Sequence, residues 1–302
     1  RLIDEKFSNI HNYFNKNDLL IVNDTKVIPA RLIGNRKNTK GQVEIFVERI
    51  VSEKKILCQL KSTRKIKEND IIIIDNKYEL KIIKNNSFCE IDILNSNSQE
   101  ILDNYGKIPL PPYINRDPLE IDKAGYQTVF AKKKGSVAAP TAGLHFDKKI
   151  LNKIKNNGIN VTHITLHIGM GTFASIKHEN IDNHIMHSEL YMVPKDTDSL
   201  IKEHRKRGGN IIAVGTSTAR AIESFYSHNS LSDKMYETNI FIKPGYKFKM
   251  IDHLITNFHL PKSSLLIMIS AFYNREKILK SYNYAIKNNY KFFSYGDSTL
   301  IL

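Results

Sequence analysis

Cysteine is scarce in this chain: Cys58 and Cys89 are the only two in 302 residues, with no CxxC pair and no zinc spacing. Two unpatterned thiols fit a reducing cytosol better than a disulfide scaffold. Long apolar runs are also missing. The longest, residues 265–272, is far short of the roughly 20 residues a membrane helix needs, so no membrane partner is expected. The histidines lack an HExxH motif, a cysteine partner and a second carboxylate at ligand spacing, so no metal is expected. No Gly-Lys-Thr follows a glycine turn, which excludes a Walker A loop. The chain opens on Arg1 with no signal-like apolar segment. A cytoplasmic location and a missing true N-terminus are expected from that.

Acidic residues are in deficit. Lys and Arg number 45 against 31 Asp and Glu, a formal charge of +14. The excess suits a polyanionic partner such as tRNA or DNA. It also suits an AT-rich coding sequence, because the lysines are spread among Asn and Ile. With 41% hydrophobic and 25% charged residues the chain reads as an ordinary globular protein, and its length fits about two domains.

Residues 18–22 (DLLIV) read as a buried strand entering a polar turn, Asn23-Asp24-Thr25-Lys26. Short β-rich runs then recur at 42–47, 55–60, 70–74, 78–83 and 88–93, followed by a short helix at 98–104. This spacing predicts a small antiparallel barrel or sandwich, inserted into a larger domain. Residues 108–113 (IPLPPY) form a stiff boundary, since each proline removes a backbone donor. Beyond it the pattern becomes α/β. Asp147 caps a helix ending near Gly158, a strand covers 159–168, and a helix covers 196–208. A strand at 210–214 enters a helix through Tyr226, 265–272 is a core element, and 276–288 is helical. The fold class expected is an α/β main domain, residues 1–30 and 108–302, with a small antiparallel all-β, barrel-like domain at 31–107.

Five segments concentrate chemistry. Residues 135–146 (GSVAAPTAGLHF) are a run of small residues ended by His145, in which Pro140 stiffens the path and Gly143 is free to take a positive φ. The plain alternative is a tightly packed corner. On the strand at 161–168, His163, Thr165 and His167 share one face. His163 reads best as part of a polar outer face, whereas His167 feeds directly into Gly169-Met170-Gly171-Thr172-Phe173 at the strand's carboxyl end, where ligands favour open α/β sheets. His184 and His187 stand beside Glu189, a carboxylate able to hold an imidazole tautomer. Residues 214–220 (VGTSTAR) are a strand, a hydroxyl-rich turn and a helix start, a natural anion site or simple N-cap. Arg220 stands three residues from Glu223 and can spend its charge there. Asn257, Phe258 and His259 combine an amide, a ring and an imidazole in a loop closed by Pro261, groups that suit a nucleobase.

Taken in order, NDTKVIPARL (23–32), GKIPLPPYI (106–114), YQTVFAKKKGSVAAPTAGLHF (126–146), TLHIGMGTF (165–173), DNHIMHSE (182–189), AVGTSTAR (213–220), DHLITNFHLPKSSLLIMISAF (252–272) and KFFSYGD (291–297) closely resemble the S-adenosylmethionine:tRNA ribosyltransferase-isomerase family of the queuosine pathway. The resemblance covers essentially the whole chain. Departures from the family's usual pattern are Lys26 for arginine, Thr216-Ser217-Thr218 for Thr-Thr-Ser, Tyr273-Asn274 for Ala-Gly, and Met170 in a small residue's place.

The resemblance implies that S-adenosylmethionine acts as co-substrate and donates its ribosyl group. The acceptor is 7-aminomethyl-7-deazaguanine at the wobble position of a tRNA with a GUN-type anticodon. The products are epoxyqueuosine in tRNA, adenine and methionine. The sulfonium acidifies C5′, a base removes a proton there, adenine leaves and the exocyclic amine attacks, which calls for groups titrating near neutrality. On this reading His145, His167 and His187 are acid/base candidates, with Glu189 orienting them or acting as a base. Thr216, Ser217 and Arg220 hold the methionine carboxylate or a tRNA phosphate. Thr141 and Gly143, with Gly169, Gly171 and Thr172, shape the cofactor pocket; Asn257, Phe258 and His259 frame adenine or the deazaguanine; Arg31 and Lys107 meet tRNA. The expected enzyme is a monomer. The alternatives are a non-catalytic tRNA-binding protein of the same fold, or a methyltransferase, against which the lack of a glycine-rich first βα turn counts.

Overall fold

In chain order the strands of this computed structural model are β1 (Leu19–Asn23), β2 (Thr25–Val27), β3 (Arg31–Arg36), β4 (Gln42–Ser52), β5 (Lys55–Ser62), β6 (Ile71–Ile74), β7 (Tyr78–Asn85), β8 (Cys89–Ile93), β9 (Lys133–Ser136), β10 (Asn160–His167), β11 (Glu189–Met192), β12 (Ile211–Val214), β13 (Tyr236–Thr238), β14 (His253–Asn257) and β15 (Ser298–Ile301). The helices are α1 (Ser98–Tyr105), α2 (Glu120–Gly125), α3 (Lys148–Asn156), α4 (Lys195–Lys206), α5 (Thr216–Ser227), α6 (Ser264–Phe272) and α7 (Arg275–Lys287). The structure describes all residues except 87, 112, 115, 174, 175 and 177–179, and residue 173 by its backbone alone. Pro112 of the proline-rich boundary thus lies outside the described residues.

The chain divides into two compact units, one of residues 1–25, 125–133 and 139–302, the other of residues 26–124 and 134–138. The first is the α/β unit, a seven-stranded sheet in the order β13-β11-β10-β1-β12-β14-β15. Strands β10, β1, β12 and β14 run parallel; β15 is antiparallel to β14 at one edge, and at the other β11 is antiparallel to β10 and β13 to β11. Parallel strands covered on both faces need continuous apolar runs. Hence every residue of β1 (LLIVN) and β12 (IIAV) is buried. Leu20, Val22, Ile212 and Val214 form one core with Phe146, Ile150 and Ile154, and α4 and α5 pack on the same sheet. Each such aliphatic side chain contributes roughly 1.5–3 kcal/mol by leaving water. Asp147 caps α3 as expected, accepting from Ile150 N at 2.7 Å.

The second unit holds a closed barrel, β3-β4-β5-β8-β7-β6. Its strands alternate in period two, with Val43, Ile45, Val47, Ile56, Cys58, Leu80, Ile82, Cys89 and Ile91 filling the interior. The strand at 31–36, not singled out in the sequence, closes the barrel by pairing with both β4 and β6. All six strands fall within residues 31–93, while the compact unit around them runs from Lys26 to Ala124. Backbone bonds between Arg31 and Lys107, and an ion pair from Arg31 to Asp117 at 3.0 Å, carry it past residue 107. Among the described residues no helix is long and apolar enough to cross a membrane, and no group of three His, Cys, Asp or Glu could hold a metal ion.

Candidate active site

Within the α/β unit, strands β10, β1, β12 and β14 end side by side at His167, Asn23, Val214 and Asn257. Strand β1 is the switch point, since the chain continues to β10 on one side and to β12 on the other, and ligands of open α/β sheets bind at such carboxyl ends. The Asn23-Asp24-Thr25 segment, expected as a polar turn, is instead fully buried there. The Asn23 amide stitches the strand ends together. It donates to Leu166 O at 3.0 Å and Ser217 Oγ at 3.1 Å, and accepts from Leu166 N and Thr25 N. Thr25 Oγ1 meets His167 Nδ1 at 2.8 Å, which fixes that ring. Burial lowers the pKa of His167, and the charge of Asp24 opposes that effect. Asp24 Oδ1 accepts from Thr165 Oγ1 at 2.7 Å.

The glycine turn after β10 is held by a buried ion pair. Glu189 Oε1 accepts from Gly169 N and Thr172 Oγ1, each at 3.0 Å, and its Oε2 pairs with Arg220 Nη1. Arg220 therefore reaches across to β11. Glu223, its expected local partner, accepts instead from Tyr246 Oη and from the backbone N–H groups of Lys249, Met250 and Ile251. With both oxygens engaged, Glu189 is a holder of the turn and not a free base. Arg220 Nε and Nη2 are buried without a hydrogen-bond acceptor. His187 lies directly on Gly171, where a Cβ would stand 2.0 Å from His187 Cδ2 and 2.9 Å from its Cβ. Only glycine fits under that ring.

Helix α5 starts at the end of β12. Its N-cap is Gly215 at φ 88°, with no side-chain cap, so simple capping by Thr216 or Ser217 is not what their hydroxyls do. Ser217 Oγ accepts from Asn23, and Thr218 Oγ1 donates to Val214 O at 2.6 Å. Thr216 and Ser217 are themselves nearly buried.

A second group sits at the end of β14. Thr141 Oγ1 donates to Asn257 Oδ1 at 3.0 Å, and Asn257 Nδ2 donates to His145 Nε2 and Phe293 O, each at 3.2 Å. The His145 ring lies 5.1 Å from that of Phe7, and burial lowers its pKa against the pull of Asp297. Ala142 borders the Gly215 turn, 3.7 Å from where a Cβ would stand, so this group adjoins the start of α5. Gly143 does not take the positive φ expected of it; within residues 135–146 that conformation belongs to Gly135. Gly143 is required for close approach, because a Cβ would stand 2.7 Å from Phe130 Cζ and 2.8 Å from Thr128 Cγ2. His259 Nε2 meets Thr256 Oγ1 at 2.7 Å, and burial takes its pKa down to about 4.

Two expected ligand contacts are corrected. Phe258 is 3% exposed and stacked on Phe292 at 4.7 Å, with Tyr282 and Tyr290 on its edges, so its ring is core and offers no face to a base. Arg31, in the barrel unit, spends its charge on Glu44 and Asp117. Lys107 is exposed. The groups the sequence left unassigned are Asn23, Asp24, Thr25 and Thr165. The signal for the first three was a polar triplet at the end of an apolar run, which a central parallel strand buries.

A sheet of this topology with its imidazoles, hydroxyls and a buried Arg–Glu pair gathered at the strand ends defines an α/β enzyme of the ligand-at-the-strand-ends class. A model of the family described as "Queuosine biosynthesis protein" matches residues 1–301. A relative from Vesicomyosocius okutanii is 47% identical over 301 residues, covering 99% of this chain and 88% of its own. One from Buchnera aphidicola is 48% identical over 303 residues, covering 98% and 85%. Both bear the name S-adenosylmethionine:tRNA ribosyltransferase-isomerase. The solved S-adenosylmethionine tRNA ribosyltransferase of Thermotoga maritima is 29% identical, with a TM-score of 0.50 over 98% of this chain and 86% of that one. The chain belongs to the queuosine biosynthesis protein family.

Proposed function

We infer that this chain is a transferase that moves the ribosyl group of S-adenosylmethionine onto 7-aminomethyl-7-deazaguanine at the wobble position of tRNA, producing epoxyqueuosine in tRNA, adenine and methionine. The observation that carries this reading is the near-full-length likeness to relatives bearing that enzyme's name. That likeness favours the catalyst over a non-catalytic tRNA-binding protein. The tRNA has a GUN-type anticodon, and the enzyme works as a monomer in the cytoplasm.

The chemistry assigned to each group follows from its surroundings. The lowered pKa values of His145 and His167 keep both rings neutral at physiological pH, the state in which an imidazole accepts a proton from an acidified carbon. Because Asn257 donates to Nε2 of His145, that ring's own proton sits on Nδ1, so the neutral His145 ring is a proton donor and the acceptor role falls to His167. His187 is the third proton-transfer group. Arg220 Nε and Nη2, two donors without acceptors beside the uncapped start of α5, suit a carboxylate such as that of the methionine moiety. Thr216 and Ser217 line the same turn. Gly169, Gly171 and Thr172 form one wall, set by Glu189; Thr141, Gly143, Asn257 and His259 form the other. Incubation with S-adenosylmethionine and hypomodified tRNA tests the reading. Free adenine is expected, and its loss in at least one of the His145→Ala, His167→Ala and His187→Ala variants. Full activity in all three contradicts the acid/base assignment.

A further inference from the structure

The strip His163, Thr165 and His167 is only partly used by the function above, and beneath it lies a carboxylate with an incomplete set of partners. Asp24 is 1% exposed. Its backbone is fixed on both sides: Asp24 N donates to Ile164 O, and Asp24 O accepts from Lys132 N and Lys133 N. Its Oδ1 is held by Thr165 Oγ1 at 2.7 Å, but its Oδ2 has no hydrogen-bond donor and faces His163 Nε2 at 3.6 Å. The next residue, Thr25, holds His167 Nδ1. A buried carboxylate oxygen left without a donor is costly, and groups of that kind persist where charge has work to do.

We propose that Asp24 is a positioning residue of the transfer reaction, a fixed negative charge that, together with its contact to His163, sets the readiness of His167 to hold the proton it exchanges with substrate. This rests on the reading of His167 as an acid/base group. Asp24 touches no reacting atom in this account. It acts through the ring that Thr25 orients, and Thr165 holds its carboxylate in place. Among the described residues, other titratable groups lie along the strip, and Lys132 and Lys133 follow Asp24 through their backbone. On β10 there is His163; on β11 and α5, Glu189 and Arg220 neutralise one another; His187 lies on the turn at Gly171. Asp24 is the charge whose field opposes the effect of burial on His167.

The experiment is the titration of His167 by NMR, with the rate of adenine release as a function of pH, in the full chain and in Asp24→Asn. The substitution keeps the shape and an acceptor for Thr165 but removes the charge. The His167 titration is expected to move about one unit to lower pH, and the limb of the kcat/KM profile set by that ring moves with it. Thr165→Val, which frees the carboxylate without removing its charge, is expected to give a smaller shift in the same direction. A merely structural role for Asp24 lowers stability and leaves both curves where they were, which overturns the proposal. A moved titration with an unmoved rate profile also overturns it. If the unsubstituted chain releases no adenine at all, the ribosyl-transfer reading fails instead, and the His167 titration still decides whether Asp24 sets the ring's protonation.

Discussion

Glu189 and Arg220, 31 positions apart, meet as an ion pair with side chains only 4% and 6% exposed. The same carboxylate holds Gly169 and Thr172, so the pair fixes the turn after β10. Removing one partner of a buried pair leaves an uncompensated charge, at a cost of roughly 3–5 kcal/mol. Arg220→Met is expected to lose about that much in urea denaturation and to abolish adenine release. Glu189→Leu combined with Arg220→Met is expected to recover much of the stability and none of the activity.

Gly171→Ala is expected to cost about 1–3 kcal/mol, since the new methyl must displace the His187 ring from the turn. If His187 transfers a proton, kcat falls in this variant by more than the loss of folded protein explains. Thermal unfolding and single-turnover adenine release separate the two effects.

The depressed His259 gives a pH prediction. Its pKa is about 4 in the folded chain and about 6.5 in the unfolded one, so the unfolded state binds the extra proton between those values. Stability is therefore lost as pH falls from about 6.5 towards 4, by up to about 3 kcal/mol from this residue. His145 and His167, lowered for the same reason, act in the same direction. His259→Gln is expected to flatten the acid side of a stability–pH curve; an unchanged slope contradicts the assignment.

Arg31 and Lys107 are separable by salt. Arg31 is tied to Glu44 and Asp117, so Arg31→Ala is expected to weaken the barrel unit while leaving the salt dependence of tRNA binding nearly unchanged. Lys107 is exposed, and Lys107→Ala is expected to reduce the log–log salt slope by about one if it meets a phosphate.

The sequence showed the fold where local physics decides it. The apolar runs of β1 and β12, the alternating barrel strands and the Asp147 cap are each written in neighbouring residues. What it hid is set by distant partners. Strands of three or four residues such as β11 and β13 take their place from the sheet beside them. Arg220 has Glu223 on the next turn yet pairs with Glu189, because Glu223 is drawn to the backbone of 249–251. Gly143 looked like a turn glycine and is a packing glycine, its constraint coming from Phe130 and Thr128. Phe258 looked like a base platform, and three other rings take it into the core. The histidines at strand ends were legible; the carboxylate beneath them, Asp24, was not, since a polar residue after a strand reads as a turn.

The most direct test of ribosyl transfer follows the products of a single incubation of this chain with S-adenosylmethionine and tRNA carrying 7-aminomethyl-7-deazaguanine, digested and analysed by mass spectrometry. Ribosyl transfer yields free adenine, free methionine and epoxyqueuosine in the tRNA in equal amounts. S-adenosylhomocysteine with a methylated tRNA, or an unmodified tRNA with no adenine released, contradicts it.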